Sequence, residues 1–187
     1  LLIVLPQGDT SYWLDQMGDG PQYGTYVARD VVGEIDTHFR TLPERAARAV
    51  GGLSMGADGA LQLALNFPTV FGAAGAHSPS LPRPGYAPSL YGDAAHYRTV
   101  DPVSLVQARP AVAASLRLWL DVGADDPRLA VAQALHDQLD AAGIPHEWHV
   151  FPGEHHWDYW HAHVADYLLF YNAALSSGPA MSRPSNP

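Results

Sequence analysis

The sequence predicts an α/β fold, with a mainly parallel sheet that carries helices on both faces. Short apolar runs of strand length, at residues 1–5, 46–50, 72–77, 116–122 and 146–151, alternate with segments of helical periodicity. This alternation is typical of parallel sheets, because each crossover lays a helix on one face of the sheet. Two further observations agree: a serine flanked by glycines follows the second strand, and polar residues follow the last two strands.

The helices are predicted between these strands, at residues 26–39, 56–66, 127–142 and 157–175. The third carries one apolar stripe and is closed by Gly143. A proline-rich loop at 78–102 is long enough to suggest a functional role, such as one wall of a substrate pocket. We assign residues 1–175 to one domain and expect the polar, proline-rich tail at 176–187 to be disordered.

Composition narrows the class of protein. The chain has 187 residues, 47% of them hydrophobic, and so can build a core. A net charge of -9 argues against nucleic acid or an anionic membrane as the partner. No apolar run reaches transmembrane length, and the absence of cysteine removes disulfides and thiol catalysis. We expect a soluble protein, and the sequence favours neither the cytoplasm nor secretion.

Gly52-Leu53-Ser54-Met55-Gly56 is a G-x-S-x-G pentapeptide between a predicted strand and a predicted helix. In that context the motif marks a sharp turn that holds the serine in a strained conformation above the end of the sheet. The glycines leave room for the strand and the helix to approach closely. The pattern therefore predicts that Ser54 is a nucleophile.

A serine needs a general base and an orienting carboxylate to react near neutral pH. Asp121, Asp125 and Asp126 all lie at the end of the strand at 116–122. Asp126 precedes Pro127, a pattern typical of a helix N-cap. Capping and catalysis are compatible, because one carboxylate oxygen can cap while the other binds an imidazole. The residues alone leave the choice open, with Asp126 slightly favoured over Asp125.

The base is predicted on the loop after the last strand, where His155 and His156 are adjacent. A zinc site built from His155, His156, His161 and His163 is the alternative. Adjacent histidines point apart, H-E-x-x-H is missing and the chain has no cysteine. We therefore predict no metal and no organic cofactor.

Six segments resemble the esterase D and feruloyl esterase family of α/β-hydrolases, which includes S-formylglutathione hydrolases and the antigen 85 mycolyltransferases. They are residues 1–8, 26–30, 52–56, 67–72, 121–126 and 153–157. The resemblance implies an α/β-hydrolase fold in which Ser54, Asp126 and His155 form a triad in that order. It also implies that the Met55 amide is half of the oxyanion hole. Departures from the pattern at 57–58 and at His156 remove none of these groups.

A larger departure lies at the start of the chain. Family members carry, before the segment that resembles residues 1–5, a strand with a His-Gly loop that supplies the second oxyanion amide. We therefore expect the fold to lack its N-terminal strands and to show a gap, or a foreign strand, between 1–5 and 46–50. An N-terminal segment or another subunit would then complete the sheet. The alternative is a minimal hydrolase in which these two strands pair directly.

The predicted function is a serine carboxylic-ester hydrolase that forms an acyl-enzyme on a small-molecule, glycan or lipid ester. Tyr12, Trp13, Tyr86 and Tyr91 are the candidate pocket residues. An acyltransferase would use the same triad with an acceptor alcohol in place of water. A non-catalytic binding module of the same fold is the third possibility.

Overall fold

The computed structural model describes residues 1–176 and contains one parallel sheet of four strands in the order β1-β2-β3-β4. The strands are β1 (Ala49–Leu53), β2 (Ala73–His77), β3 (Arg117–Gly123) and β4 (Glu147–Phe151). Each strand pairs with the next one in the chain, so every crossover joins neighbours. The predicted fold class is therefore confirmed, and the carboxyl ends of all four strands lie at one edge.

Helices occupy both faces and the connections of the sheet. They are α1 (Tyr23–Thr25), α2 (Val32–His38), α3 (Met55–Asn66), α4 (Pro88–Tyr91), α5 (Ala94–Val100), α6 (Pro102–Ala108), α7 (Pro110–Ala114), α8 (Leu129–Ala141) and α9 (Trp157–Ser176). A π-helical turn, Tyr26–Val31, joins α1 to α2 and makes the segment predicted at 26–39 helical from Tyr23. The loop predicted at 78–102 contains α4 and α5.

Two core clusters pack on opposite faces of the sheet, and a third cluster joins Leu14 to Tyr91, Tyr97 and Val100. The larger cluster joins α3, α6 and α8 to the sheet through buried residues such as Leu61, Leu105, Leu120 and Leu135. The smaller cluster packs α9 against the other face and contains Ala73, Trp119, Tyr167, Phe170 and Ala174. Helices on both faces leave the strand ends as the exposed edge at which polar side chains can meet.

Two predicted boundaries were wrong by a few residues. Residues Arg45–Ala47 form a 3-10 turn, so β1 begins at Ala49 instead of residue 46 and runs directly into Ser54. The helix predicted after Asp126 begins at Leu129, with Arg128 in the capping position. Both shifts arise because a local turn takes up the residues that the apolar pattern assigned to the regular element.

The strand predicted at residues 1–5 does not form. These residues pair with no strand in the described part of the chain, and their side chains are open to solvent, as for Leu1 (74% exposed) and Leu5 (90%). β1 likewise pairs only with β2 within residues 1–176. A groove of about 750 Å³ is lined both by the 1–6 segment and by β1. An apolar run becomes a strand only when a neighbouring strand satisfies its backbone groups, and none lies beside this one.

Two further findings concern membrane-spanning helices and the predicted C-terminal tail. Among residues 1–176 no helix is both long enough and apolar enough to cross a membrane. Ser176, which was assigned to the tail, is the last residue of α9. The remainder of the tail predicted to be disordered, 177–187, lies outside the described residues.

Candidate active site

Ser54 lies at the turn between β1 and α3, in a backbone conformation that L residues rarely adopt. Its φ is 52° and its ψ is -113°, which costs roughly 1–3 kcal/mol. The Ser54 amide donates to the carbonyl oxygen of His77 at 2.8 Å, which ties the turn to the end of β2. A Cβ at Gly52 would lie 2.5 Å from the carbonyl group of Gly56. Glycine at 52 is therefore what allows the strand and the helix to meet at this angle.

His155 lies between Ser54 and Asp126. Its Nε2 atom is 2.9 Å from Ser54 Oγ, and its Nδ1 atom is 2.7 Å from Asp126 Oδ2. The Asp126 side chain is fully buried, and the His155 side chain is 17% exposed. Because a carboxylate only accepts, Nδ1 carries the proton, and the free lone pair of Nε2 faces the serine hydroxyl. The three residues thus form one hydrogen-bonded chain.

The two oxygens of Asp126 have separate partners. Oδ2 faces His155, while Oδ1 accepts the backbone N–H of Arg128 at 2.8 Å. Asp126 is therefore not the N-cap of α8, as its place before Pro127 suggested, but it still binds an amide just before the helix. This second hydrogen bond fixes the rotation of the carboxylate. Asp125, the competing candidate, has an exposed side chain next to the site.

Asp121, the third candidate carboxylate, belongs to a different cluster at the ends of β2 and β3. It accepts from His77 Nδ1 at 2.6 Å, Trp119 Nε1 at 2.7 Å, Tyr159 Oη at 2.8 Å and Tyr167 Oη at 3.0 Å. Burial opposes its ionisation, but these donors, His77 first, outweigh burial and hold the pKa of Asp121 below its usual range. The cluster ties α9 to the sheet beneath the His155 loop.

Ser80 is a second hydroxyl in contact with the candidate nucleophile. Its Oγ atom lies 3.0 Å from Ser54 Oγ. Since the Ser54 hydroxyl faces the lone pair of His155 Nε2 and donates to it, its oxygen is left to accept, and Ser80 donates. The hydrogen-bond chain therefore runs from Ser80 through Ser54 and His155 to Asp126. Nothing in the sequence motif pointed to Ser80.

Asp58 holds the loop that carries Ser80. It is 2% exposed, and its Oδ1 atom accepts the backbone N–H groups of Ser80 at 2.9 Å and Leu81 at 3.1 Å. Burial raises the pKa of the Asp58 carboxyl to about 7, against the lowering effect of these two amides. The loop is strained, because Ser78 and Leu81 have φ values of 51° and 43°. The Asp58 carboxyl therefore keeps a strained segment against the nucleophile.

Three of the four candidate pocket residues form one aromatic cluster. The Tyr12 ring centroid lies 6.1 Å from that of Tyr86 and 5.7 Å from that of Tyr91, both edge-to-face. Burial, the neighbouring Tyr86 hydroxyl and the charge of Asp58 raise the pKa of Tyr12 to about 12. Trp13 is separate: its indole packs on Gly59 of α3 and its carbonyl oxygen accepts from Gln62 Nε2 at 2.6 Å. Trp13 thus packs against α3 and the main core cluster instead of joining the three tyrosines.

Met55 is the first residue of α3, immediately after Ser54. The first amides of a helix have no partner within it and carry part of the positive end of the helix dipole. The Met55 N–H, next to Ser54, is therefore one of the amides that have no partner within α3.

The histidines that could have formed a zinc site are dispersed. His155 faces Ser54, His156 and His161 are exposed, and His163 stacks on Phe151 at 4.1 Å. Within the described residues, the group with metal-binding geometry is elsewhere, on α8 and before β4.

Comparison with known proteins identifies the family. The family model described as "Putative esterase" matches residues 1–171, most of the chain. The chain belongs to this esterase family. The resemblance predicted from the six segments is thereby confirmed.

Named relatives are similar to the chain over most of its length. The chain is 27% identical over 189 residues to Esterase Rv1288 of Mycobacterium tuberculosis, covering 83% of this chain and 41% of that protein. It is 25% identical over 183 residues to an acetyl esterase of Caldicellulosiruptor saccharolyticus, covering 88% and 69%. The chain thus spans less than half the length of the mycobacterial relative.

Solved structures also superpose well on the chain. A ferulic acid esterase has a TM-score of 0.74 at 26% identity, with 87% of this chain and 64% of that chain covered. FphF, a fluorophosphonate-binding serine hydrolase of Staphylococcus aureus, has a TM-score of 0.77 at 20% identity, with 89% and 69% covered. The second similarity shows the shared fold.

Proposed function

We propose that this esterase-family chain hydrolyses carboxylic esters, with Ser54 as nucleophile, His155 as general base and acid, and Asp126 as the group that orients His155. The observation that carries the proposal is the hydrogen-bond chain from Ser54 Oγ to His155 Nε2 and from His155 Nδ1 to Asp126, at 2.9 and 2.7 Å. Each contact lies within the range that proton transfer needs. The names of the relatives, an acetyl esterase and a ferulic acid esterase, support the same reaction class.

The reaction balances with these groups alone. Ser54 Oγ bonds to the ester carbonyl carbon while its proton passes to His155 Nε2, and Asp126 stabilises the imidazolium. The Met55 N–H donates to the oxyanion, a contribution of roughly 3 kcal/mol per donor. Collapse of the intermediate breaks the carbon–oxygen bond, and the leaving alcohol takes the proton from His155. Water then attacks the acyl-enzyme by the same steps and releases the acid.

We further propose that part of the ester binds against the cluster of Tyr12, Tyr86 and Tyr91. Asp58 links this cluster to the nucleophile, because its negative charge helps to raise the pKa of Tyr12 and of Tyr91 and its carboxyl oxygen accepts the amide N–H of Ser80. Edge-to-face tyrosines offer a surface for a flat ring, which favours an ester with an aromatic part.

Covalent labelling tests the proposed nucleophile. A fluorophosphonate probe should add once per chain, and peptide mass spectrometry should locate the adduct on Ser54. The Ser54→Ala variant should not be labelled, whereas Ser89→Ala, which removes an exposed serine of α4, should be labelled as the wild type is. An adduct on another residue, or none at millimolar probe, would contradict the assignment. Labelling without ester turnover would instead support a binding module or a transferase that lacks its acceptor.

A further inference from the structure

Two histidines and an aspartate converge away from the proposed active site. His136 and Asp140 lie one turn apart on α8, and His146 lies just before β4. His136 Nδ1 is 2.7 Å from His146 Nε2, and Asp140 carboxylate oxygens are 3.5 Å from His136 Nε2 and 3.9 Å from His146 Nε2. Within the described residues, one potential ligand atom from each of the three lies within 4.8 Å of the others.

The hydrogen bonds around His146 fix which of its nitrogens is free. His146 Nδ1 lies 2.8 Å from the carbonyl oxygen of Ile144, which can only accept, so Nδ1 carries the proton. The lone pair of His146 therefore lies on Nε2 and points at His136 and Asp140. A backbone carbonyl that binds the second ring nitrogen is the arrangement found around metal-binding histidines. The His146 side chain is only 2% exposed, so this lone pair is held in place by packing.

His136 is also held, by Trp148 of β4. The two rings stack with centroids 4.9 Å apart and planes 7° from parallel. Its side chain is 18% exposed, and that of Asp140 is 65% exposed, so an ion can enter from the Asp140 side. The net charge of -9 favours the approach of a cation.

We propose that His136, Asp140 and His146 bind a divalent transition-metal ion, of which Zn²⁺ is the best match. Two imidazoles and one carboxylate form a common zinc ligand set, and water would complete the tetrahedron. Bonds of about 2.0–2.1 Å place tetrahedral donors roughly 3.3 Å apart. The ion would bind Nδ1 of His136, the nitrogen that faces His146 Nε2 at 2.7 Å, whereas the 3.5 Å contact of Asp140 is to the other nitrogen of His136, Nε2. The exposed Asp140 carboxylate, 3.9 Å from His146 Nε2, would turn towards these two nitrogens to bind the same ion. The two histidine nitrogens must move apart by about half an ångström, which a small ring rotation supplies.

The site would clamp α8 to β4 at the end of the sheet opposite to the proposed active site. α8 follows the loop with Asp126 and β4 precedes the loop with His155, so the clamp joins the two elements next to these loops without contacting either residue. Bound metal should therefore stabilise the fold and leave ester turnover unchanged well below the melting temperature. In the absence of metal, His136 donates an N–H to His146 Nε2, so a proton and a metal compete for the same lone pair.

Titration of the chelator-treated full chain with Zn²⁺, followed by calorimetry, tests the proposal. The wild type should bind one ion per chain with a Kd in the micromolar range or below, and His136→Gln should weaken binding at least about 10-fold. Asp140→Asn should also weaken it. The matched control is His38→Gln, because His38 also pairs with a carboxylate one helical turn away, Glu34 at 3.2 Å, but without a second histidine.

Thermal unfolding provides a second readout that does not depend on activity. Zn²⁺ at about 100 times its Kd should raise the Tm of the wild type and of His38→Gln by roughly 5 °C. The Tm of His136→Gln should not respond. The proposal is overturned if the wild type binds no Zn²⁺ below about 1 mM. It is equally overturned if His136→Gln binds as tightly as the wild type, since the ion would then lie at other ligands.

Discussion

Ser80 Oγ lies 3.0 Å from Ser54 Oγ, so the proposed nucleophile contacts a second hydroxyl as well as His155. Ser80 donates this hydrogen bond and thereby fixes the direction of the Ser54 hydroxyl towards His155 Nε2. The contact depends on the loop after β2, which is held by the Asp58 carboxyl.

Removing this hydroxyl should slow the reaction without abolishing it. Ser80→Ala should lower kcat/KM for a p-nitrophenyl ester by roughly 2- to 10-fold, the equivalent of one neutral hydrogen bond. Ser80→Thr keeps a hydroxyl and should retain more of the activity. Steady-state kinetics on both variants, with exposed Ser89→Ala as control, measure the effect. If the alanine and threonine variants lose activity equally, the contact is only steric.

The two adjacent aspartates should differ sharply. Asp126→Asn removes the carboxylate that orients His155 and should lower kcat by about 10⁴-fold. Asp125→Asn changes an exposed side chain beside the same loop and should leave kcat within about twofold of the wild type. The comparison needs only ester hydrolysis by the two purified variants. If Asp125→Asn lost more of its kcat than Asp126→Asn, Asp125 would be the carboxylate that orients His155.

Asp58 should make the free energy of unfolding decrease as pH rises, which is opposite to the effect of a carboxylate in a buried ion pair. Its pKa is raised from 3.8 to about 7, so the folded chain holds a proton that the unfolded chain has lost between these values. The contribution of Asp58 to the free energy of unfolding should therefore fall as pH rises from about 4 to 7 and level off above that. Asp58→Asn does not titrate and should gain relative to the wild type by up to roughly 4 kcal/mol across this window. Urea unfolding at pH 5 and pH 8 measures the difference, and a difference that is constant with pH would contradict the assignment.

The tyrosine cluster should influence the choice of ester. Tyr86 is half exposed, so Tyr86→Ala should fold normally. We expect the variant to raise KM for methyl ferulate roughly 10-fold, because one face of the aromatic surface is lost. Hydrolysis of methyl butyrate, which has no aromatic part, should change less. Equal effects on both esters would show that the cluster does not contact the aromatic part of the substrate.

The sharp turn that carries Ser54 and the order of the polar loops could be predicted from sequence because they depend on local patterns. G-x-S-x-G requires a strand before Ser54 and a helix after it, and both are present within three residues of the predicted places. Parallel strands bring their carboxyl ends to one edge, so Asp126 and His155 were expected to meet there. Family resemblance was needed to choose between Asp125 and Asp126, since the apolar pattern does not distinguish adjacent loop residues.

The strand at 1–5 and the contacts of Ser80 could not be predicted in the same way. Whether an apolar run forms a strand depends on a neighbour that its own sequence does not describe. The path of the loop to Ser80 depends on positive φ values at Ser78 and Leu81, which residues other than glycine rarely adopt. The pairing of His77 with Asp121 depends on simpler geometry, because His77 is the last residue of β2 and Asp121 lies opposite it on the adjacent strand β3.

Turnover by the Ser54→Ala variant decides whether Ser54 is the nucleophile of this esterase. The hydrolysis of a p-nitrophenyl ester by the wild type and by Ser54→Ala should be compared at equal protein concentration, with circular dichroism to verify the fold. We expect Ser54→Ala to lose turnover on the order of 10⁶-fold with an unchanged spectrum, as for other serine hydrolases that lack the nucleophile. A folded Ser54→Ala protein that keeps more than a few per cent of wild-type turnover would contradict this role of Ser54.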